Sequence, residues 1–262
     1  MTAVARTTAL EAALRRERAW ILLSLAVAAG ASWVWMVPTA LDMYGRMEGP
    51  AAWMMQGRWD LRYAALIFLM WATMMVGMML PSAAPTILSF ARIVRSSATA
   101  DAPVARSYAF AAGYLLAWTA FSAAATLVQW ALSSTSLLSP MMQAAAPWLS
   151  AVILLAAGIY QWTPAKQTCL LHCRSPLDYL ARHWRRGIGG ALRMGVEHGF
   201  FCIGCCWALM LLLFAGGVMS LPLIGALTGL VLLEKAAPHG VLVGRAGGSL
   251  LAAAGVWLLV GA

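Results

Sequence analysis

The chain has 262 residues, of which 62% are hydrophobic and 10% charged, and 18 Lys and Arg against 9 Asp and Glu give it a formal net charge of +9. A soluble domain carries roughly 25% charged residues, so the composition excludes an ordinary soluble enzyme, and the same apolar excess excludes a disordered chain. Twenty-three Gly and 11 Pro without a period exclude collagen-like and low-complexity classes.

A bilayer core of about 30 Å needs roughly 20 apolar helical residues. Seven stretches approach that, near 20–37, 64–80, 108–132, 148–162, 194–214, 218–233 and 246–261. They predict an all-α, polytopic transmembrane helix bundle of about seven spans, forming one integral membrane domain over 1–262. Arg15, Arg16 and Arg18 precede the first stretch in the manner of a signal peptide. The apolar run continues through Trp33, Val34, Trp35 and Met36, which predicts an uncleaved first span. The fourth and sixth stretches are short and imply local bilayer thinning. Only 215–217 separate the fifth from the sixth, so a tight helical hairpin is expected, and Pro222 suits the start of the sixth.

The cations alternate with these spans. The N-terminal segment holds Arg6, Arg15, Arg16 and Arg18. The first loop holds Arg46, Arg58 and Arg62, and the second Arg92, Arg95 and Arg106. The fourth holds Lys166, Arg174, Arg182, Arg185, Arg186 and Arg193, and the sixth Lys235 and Arg245. Fifteen of the 18 thus fall on alternate segments. The positive-inside rule then places the N-terminus in the cytoplasm and the C-terminus outside, most simply in a bacterial cytoplasmic (inner) membrane. The charge is a sidedness signal, and no nucleic-acid partner is expected; the partners are the lipid bilayer and what the cysteines bind. In the fourth loop Leu177, Leu180 and Trp184 share a helical face behind Pro176, which predicts a short helix on the inner membrane surface. His183 and His239 read as interfacial. Glu234 and Lys235 read as an ion pair that snorkels at the end of the sixth span.

The five cysteines cluster. Cys169 and Cys173 lie in Cys169-Leu-Leu-His-Cys173, and Cys202, Cys205 and Cys206 lie early in the fifth span. Both groups fall on the reducing side, which disfavours structural disulfides and points to metal or redox chemistry. At about 100° per residue, His198, Cys202 and Cys205 share an arc of about 60°. Their stack is too long for one helix to close a tetrahedral site, so a partner helix must contribute, and Gly199 and Gly204 would let it approach. Cys169 and Cys173 are i and i+4 if helical, with His172 between them. The second span offers Met70, Met74 and Met78 in one row and Met75 and Met79 in another. Thioethers and thiolates suit Cu(I); thiolate and imidazole also suit zinc. Met rows and buried cysteines also serve as apolar filler, and that reading stays open. Glu197 falls about 100° from His198, so it can orient another helix or the basic loop instead of the same site.

Three blocks carry a family resemblance: Met70-Trp-Ala-Thr-Met-Met-Val-Gly-Met-Met-Leu-Pro-Ser-Ala-Ala-Pro85, Tyr160-Gln-Trp-Thr-Pro-Ala-Lys-Gln-Thr-Cys-Leu-Leu-His-Cys-Arg-Ser-Pro176, and Gly195-Val-Glu-His-Gly-Phe-Phe-Cys-Ile-Gly-Cys-Cys-Trp-Ala-Leu-Met210, with Glu234-Lys235 following. With them the chain resembles the DUF2182 family of predicted metal-binding integral membrane proteins. The resemblance implies a membrane protein with a metal site and names no substrate.

The favoured function is the handling of a soft metal ion, Cu(I) ahead of Zn(II), for transport, buffering or delivery to a metallochaperone or metalloenzyme partner. Cys169, Cys173, His172, His198, Cys202, Cys205, Cys206 and Glu197 are the candidate ligands, with Met74, Met75, Met78 and Met79 as thioether relays. No P-loop is present, so a self-contained ATP-driven pump is not expected, and the reading favours a protein that is not an enzyme. Two alternatives remain. One is a membrane thiol oxidoreductase using the Cys pairs, since Cys202-Ile-Gly-Cys205 is a Cys-x-x-Cys pair. The other is a structural or assembly subunit.

Overall fold

The computed structural model describes residues 2–55, 58–96 and 102–261, with side chains from Arg18 onward. Arg6, Arg15 and Arg16, counted above for sidedness, lie outside the described side chains. The elements are α1 (Thr2–Met43), α2 (Gly49–Met54), α3 (Leu61–Ser96), α4 (Pro103–Ser134), α5 (Pro147–Tyr160), α6 (Pro164–Arg174), α7 (Pro176–Arg182), α8 (Gly187–Gly216), α9 (Leu221–Ala236) and α10 (Gly240–Val260). Among the described residues there is no strand, only one isolated bridge between Leu138 and Ala144. The protein is an all-α bundle.

Each of the seven apolar stretches is helical, in α1, α3, α4, α5, α8, α9 and α10. Five helices are long and apolar enough to cross a membrane: Arg18–Met43 of α1, α3, α4, α8 and α10. A sixth is reached if α5 and α6, which meet at a 64° bend, count as one broken span. The expected seven is therefore five to six by length and composition. The reason is arithmetic: at 1.5 Å per residue α5 and α9 extend only about 21 and 24 Å.

Proline starts several of these helices, since its missing N–H costs nothing in the first turn: it stands in the first two positions of α4, α5, α6, α7 and α9. Inside α3, Pro81 withdraws the N–H that would bond to the Gly77 carbonyl. Trp33 of α1 replaces it, with Nε1 donating to Gly77 O at 3.3 Å. The expected hairpin between α8 and α9 turns at Gly217, whose φ of 95° favours glycine.

Two close helix pairs set the architecture. In the first, α4 and α8 touch backbone to backbone. A Cβ on Gly113 would strike Leu192 O, and one on Gly195 would strike Phe110 O. In the second, α5 lies on α10 through Gly158 and Gly248. With no hydrophobic drive between helices in lipid, such small-residue contacts supply the packing. α3 packs on α4, α1 on α3, and α6 on α8.

The short helix of the fourth loop forms as α7 but ends at Arg182, and of its expected apolar face Leu180 and Trp184 pack inward while Leu177 does not. Leu177 is 64% exposed, whereas Tyr179 and Leu180 are buried. The Tyr179 hydroxyl donates to Met194 O at 2.6 Å and draws that side inward. Burial also holds the Tyr179 phenol well above the usual tyrosine range.

Candidate metal centre

The centre forms where α3, α4, α6, α8 and α9 meet. α8 contributes His198, Cys202, Cys205 and Cys206, all buried. Their common face was legible from spacing. The close approach of α4 is possible because Gly199 lies under Tyr114 and Ala117. Gly204 admits the Cys169 sulfur of α6 in the same way. Both glycines thus admit a neighbouring helix, as their place on α8 suggested.

Cys202 is the hub. Its sulfur lies 3.1 Å from the Tyr114 hydroxyl and accepts from Lys235 Nζ at 2.9 Å. Lys235 also donates to Ser82 Oγ at 2.9 Å, and the Tyr114 hydroxyl reaches Met79 O at 3.1 Å. The Cys173 thiol stands beside Cys202 and Cys205. The thiols of Cys205 and Cys206 point back to the Cys202 carbonyl, at 3.1 and 2.8 Å. One thioether joins them: Met79 Sδ is 4.0 Å from Cys206 Sγ. With metal–sulfur bonds of about 2.3 Å, two sulfurs on one ion stand about 3.8 Å apart at a tetrahedral angle and about 4.6 Å apart when opposed. The Cys206–Met79 separation falls between these limits.

The other candidates sit around or away from this hub. Met74, Met75 and Met78 are buried in α3 as apolar core. Cys169 lies on the flank, near Cys205. His198 is 2% exposed, packs against Tyr114, Phe110 and Tyr179, and has a buried Nδ1 without a partner. His172 lies further out, its ring flat on Phe201 with centroids 4.1 Å apart. Glu197 turns to the basic segment, with Oε1 3.1 Å from Arg185 and 3.1 Å from Arg193. Among the described residues no group of three or more His, Cys, Asp or Glu is disposed to hold a metal ion. A thiol–thioether set is a different kind of site, since soft sulfur ligands select Cu(I). All five cysteines are free.

Sequence reasoning missed Tyr114 and Lys235. Lys235 was expected to pair with Glu234, yet the two side chains leave α9 in different directions, because successive residues stand about 100° apart on a helix. Glu234 instead meets Lys166, with Nζ 2.8 and 2.7 Å from its two oxygens, and accepts from Gln161 Nε2 at 3.1 Å. Lys166 also donates to Gln161 Oε1, and Arg174 caps the Glu234 carbonyl. The one signal for Tyr114 was its place beside Gly113 in the third apolar stretch.

The comparison with protein families agrees with this soft-donor geometry. A family model described as PpoB2, copper chaperone, matches residues 68–258. The chain belongs to this copper chaperone family. The match takes in every candidate ligand named above, and its description specifies copper and makes no mention of zinc. The family's name is PpoB2 and not DUF2182; what carries over from the resemblance is the metal. No curated protein and no solved structure matches the chain.

Proposed function

We propose that this protein is a membrane-embedded copper chaperone that holds Cu(I) on buried thiols and passes it to a partner protein. The observation that carries the reading is the meeting of sulfur donors from three helices: Met79 on α3 and Cys202, Cys205 and Cys206 on α8 are buried together, with the partly exposed Cys173 of α6 beside them. Sulfur-rich, water-poor sites favour Cu(I) over harder ions. The family description supports copper as the cargo. Long apolar helices support residence in a membrane, and the uneven distribution of Lys and Arg supports a cytoplasmic N-terminus and a cytoplasmic mouth at α6 and α7.

In this reading Cys202 and Cys206 are the inner ligands, Met79 is a thioether ligand, and Cys173 and Cys169 receive the ion from outside. Ligation requires the thiol proton to leave, so loading releases protons. Lys235 and Tyr114, both held on the Cys202 sulfur in the resting protein, give way as copper takes their place. His198 supports the wall of the site. Without a nucleotide site, movement of the ion runs on exchange between ligand sets.

The test is Cu(I) binding by the purified protein in detergent, under reducing and anaerobic conditions, in competition with a colorimetric Cu(I) chelator. The parent is expected to retain copper, and Cys202→Ser and Cys206→Ser to lose it by tenfold or more in affinity. Copper no higher than that of an unrelated membrane protein carried through the same steps overturns the reading.

A further inference from the structure

We propose that the imidazoles of His172 and His183 form a second, outer copper-binding station at the mouth of the thiol site. This deepens the copper reading and rests on it for the identity of the ion.

The two rings share a hydrogen-bonding pattern. His172 Nδ1 lies 2.8 Å from Thr168 O, and His183 Nδ1 lies 3.1 Å from Tyr179 O, each the carbonyl four residues back. A carbonyl only accepts, so Nδ1 carries the proton in both rings. In a neutral imidazole that leaves Nε2 as the lone pair. An Nδ1–H bond to a backbone carbonyl is how ligating histidines are commonly oriented.

The spacing fits one ion. The ring centroids are 6.1 Å apart with planes at 69°. With a metal–nitrogen bond of about 2.0 Å and about 1.1 Å from nitrogen to ring centre, two rings opposed across one ion have centroids roughly 6.2 Å apart. Nε2 atoms facing each other across that gap would form a near-opposed pair, a geometry that a two-coordinate ion accepts. Both rings are also braced: His172 lies flat on Phe201, and His183 stacks on Tyr179 with centroids 4.7 Å apart. Both are half-buried and so open to an arriving ion, unlike His198.

Two of the neighbouring cations are paired with carboxylates, Arg182 with Asp178 and Arg185 with Glu197. The Tyr179 hydroxyl is committed to Met194 O, so it braces the site and does not ligate. Cys173 follows His172 directly in the chain and stands beside Cys202. Nitrogen outside and sulfur inside gives Cu(I) a preference that increases inward.

The experiment uses the intact chain in detergent with Cu(I) as the probe. The parent is expected to take two equivalents, with both nitrogen and sulfur scattering in X-ray absorption. The double variant His172→Phe and His183→Phe keeps the ring packing and removes both lone pairs. It should take one equivalent, ligated by sulfur alone, and this retained equivalent reports that the variant is folded. Cys202→Ser should keep the nitrogen-ligated ion. Nitrogen-15 NMR of the parent should place the proton of both rings on Nδ1. A double variant that binds as much copper as the parent, or a proton on Nε2 of either ring, overturns the station. A single equivalent, lost in Cys202→Ser and kept in the histidine variant, overturns the station and leaves the thiol reading standing. The reverse pattern overturns the thiol reading and leaves the station.

Discussion

Removing one partner of the Lys166–Glu234 pair should destabilise the protein far more than removing both. The two side chains are 2% and 1% exposed, with Nζ 2.7 Å from the nearer carboxylate oxygen. At that distance, with an effective dielectric constant near 20, the attraction is about 6 kcal/mol. Taking the two ions out of water costs several kcal/mol each, so the pair is close to break-even against apolar residues. Lys166→Met leaves the carboxylate with only the Gln161 amide, and Glu234→Leu leaves the ammonium with only the Gln161 carbonyl oxygen. Each single change should cost about 3–5 kcal/mol. The double change should lie within about 2 kcal/mol of the parent, giving a large coupling in the cycle. The assay is reversible unfolding in mixed micelles of rising denaturing-detergent fraction, followed by tryptophan fluorescence. The exposed Asp178–Arg182 pair is the internal control; its removal should cost about 0.5 kcal/mol or less. Single variants that behave like that control, or a double variant worse than the sum of the singles, would refute the reasoning.

Three further outcomes follow from the packing. Gly195→Leu should destabilise the bundle by about 1–3 kcal/mol or block assembly, because its Cβ meets Phe110 O, whereas Gly229→Ala, with open space around its Cβ, should be neutral or slightly stabilising; thermal melting in detergent separates them. Trp71→Phe should cost about 1–3 kcal/mol by stranding the buried Gln129 oxygen that Trp71 Nε1 meets at 2.7 Å, and adding Gln129→Leu should recover most of it in the same melting assay. Met79→Leu should lower Cu(I) retention in chelator competition while Met75→Leu leaves it unchanged, since it is Met79 that brings its sulfur to Cys206.

Much of the architecture was legible because apolar length and helical period are local properties. The seven stretches, the hairpin at Gly217 and the common face of Cys202 and Cys205 all follow from them. The span count is approximate because composition does not reveal how long α5 and α9 run before their caps. Along α7 and just beyond it, Leu180 and Trp184 pack inward as their spacing suggested, and only Leu177 departs, since the Tyr179 bond to Met194 O turns the helix toward Tyr179. At the site, residue types pointed to sulfur chemistry, yet Lys235 and Tyr114 were missed. A lysine at a helix end reads as an interfacial charge, and only the packing of α9 against α3 and α8 turns it toward Cys202. Likewise Lys166 counted as a loop cation, although it is buried on Glu234.

The divergence of Glu234 and Lys235 makes the last turn of α9 a shared pivot. One residue closes the elbow between α5 and α6 through Lys166 and Gln161; the next reaches the thiol hub. A rotation or slide of α9 that withdraws Lys235 from Cys202 also loosens Glu234 from the elbow that carries Cys169 and Cys173. The last turn of α9 thus ties the elbow that carries Cys169 and Cys173 to the cysteines of α8.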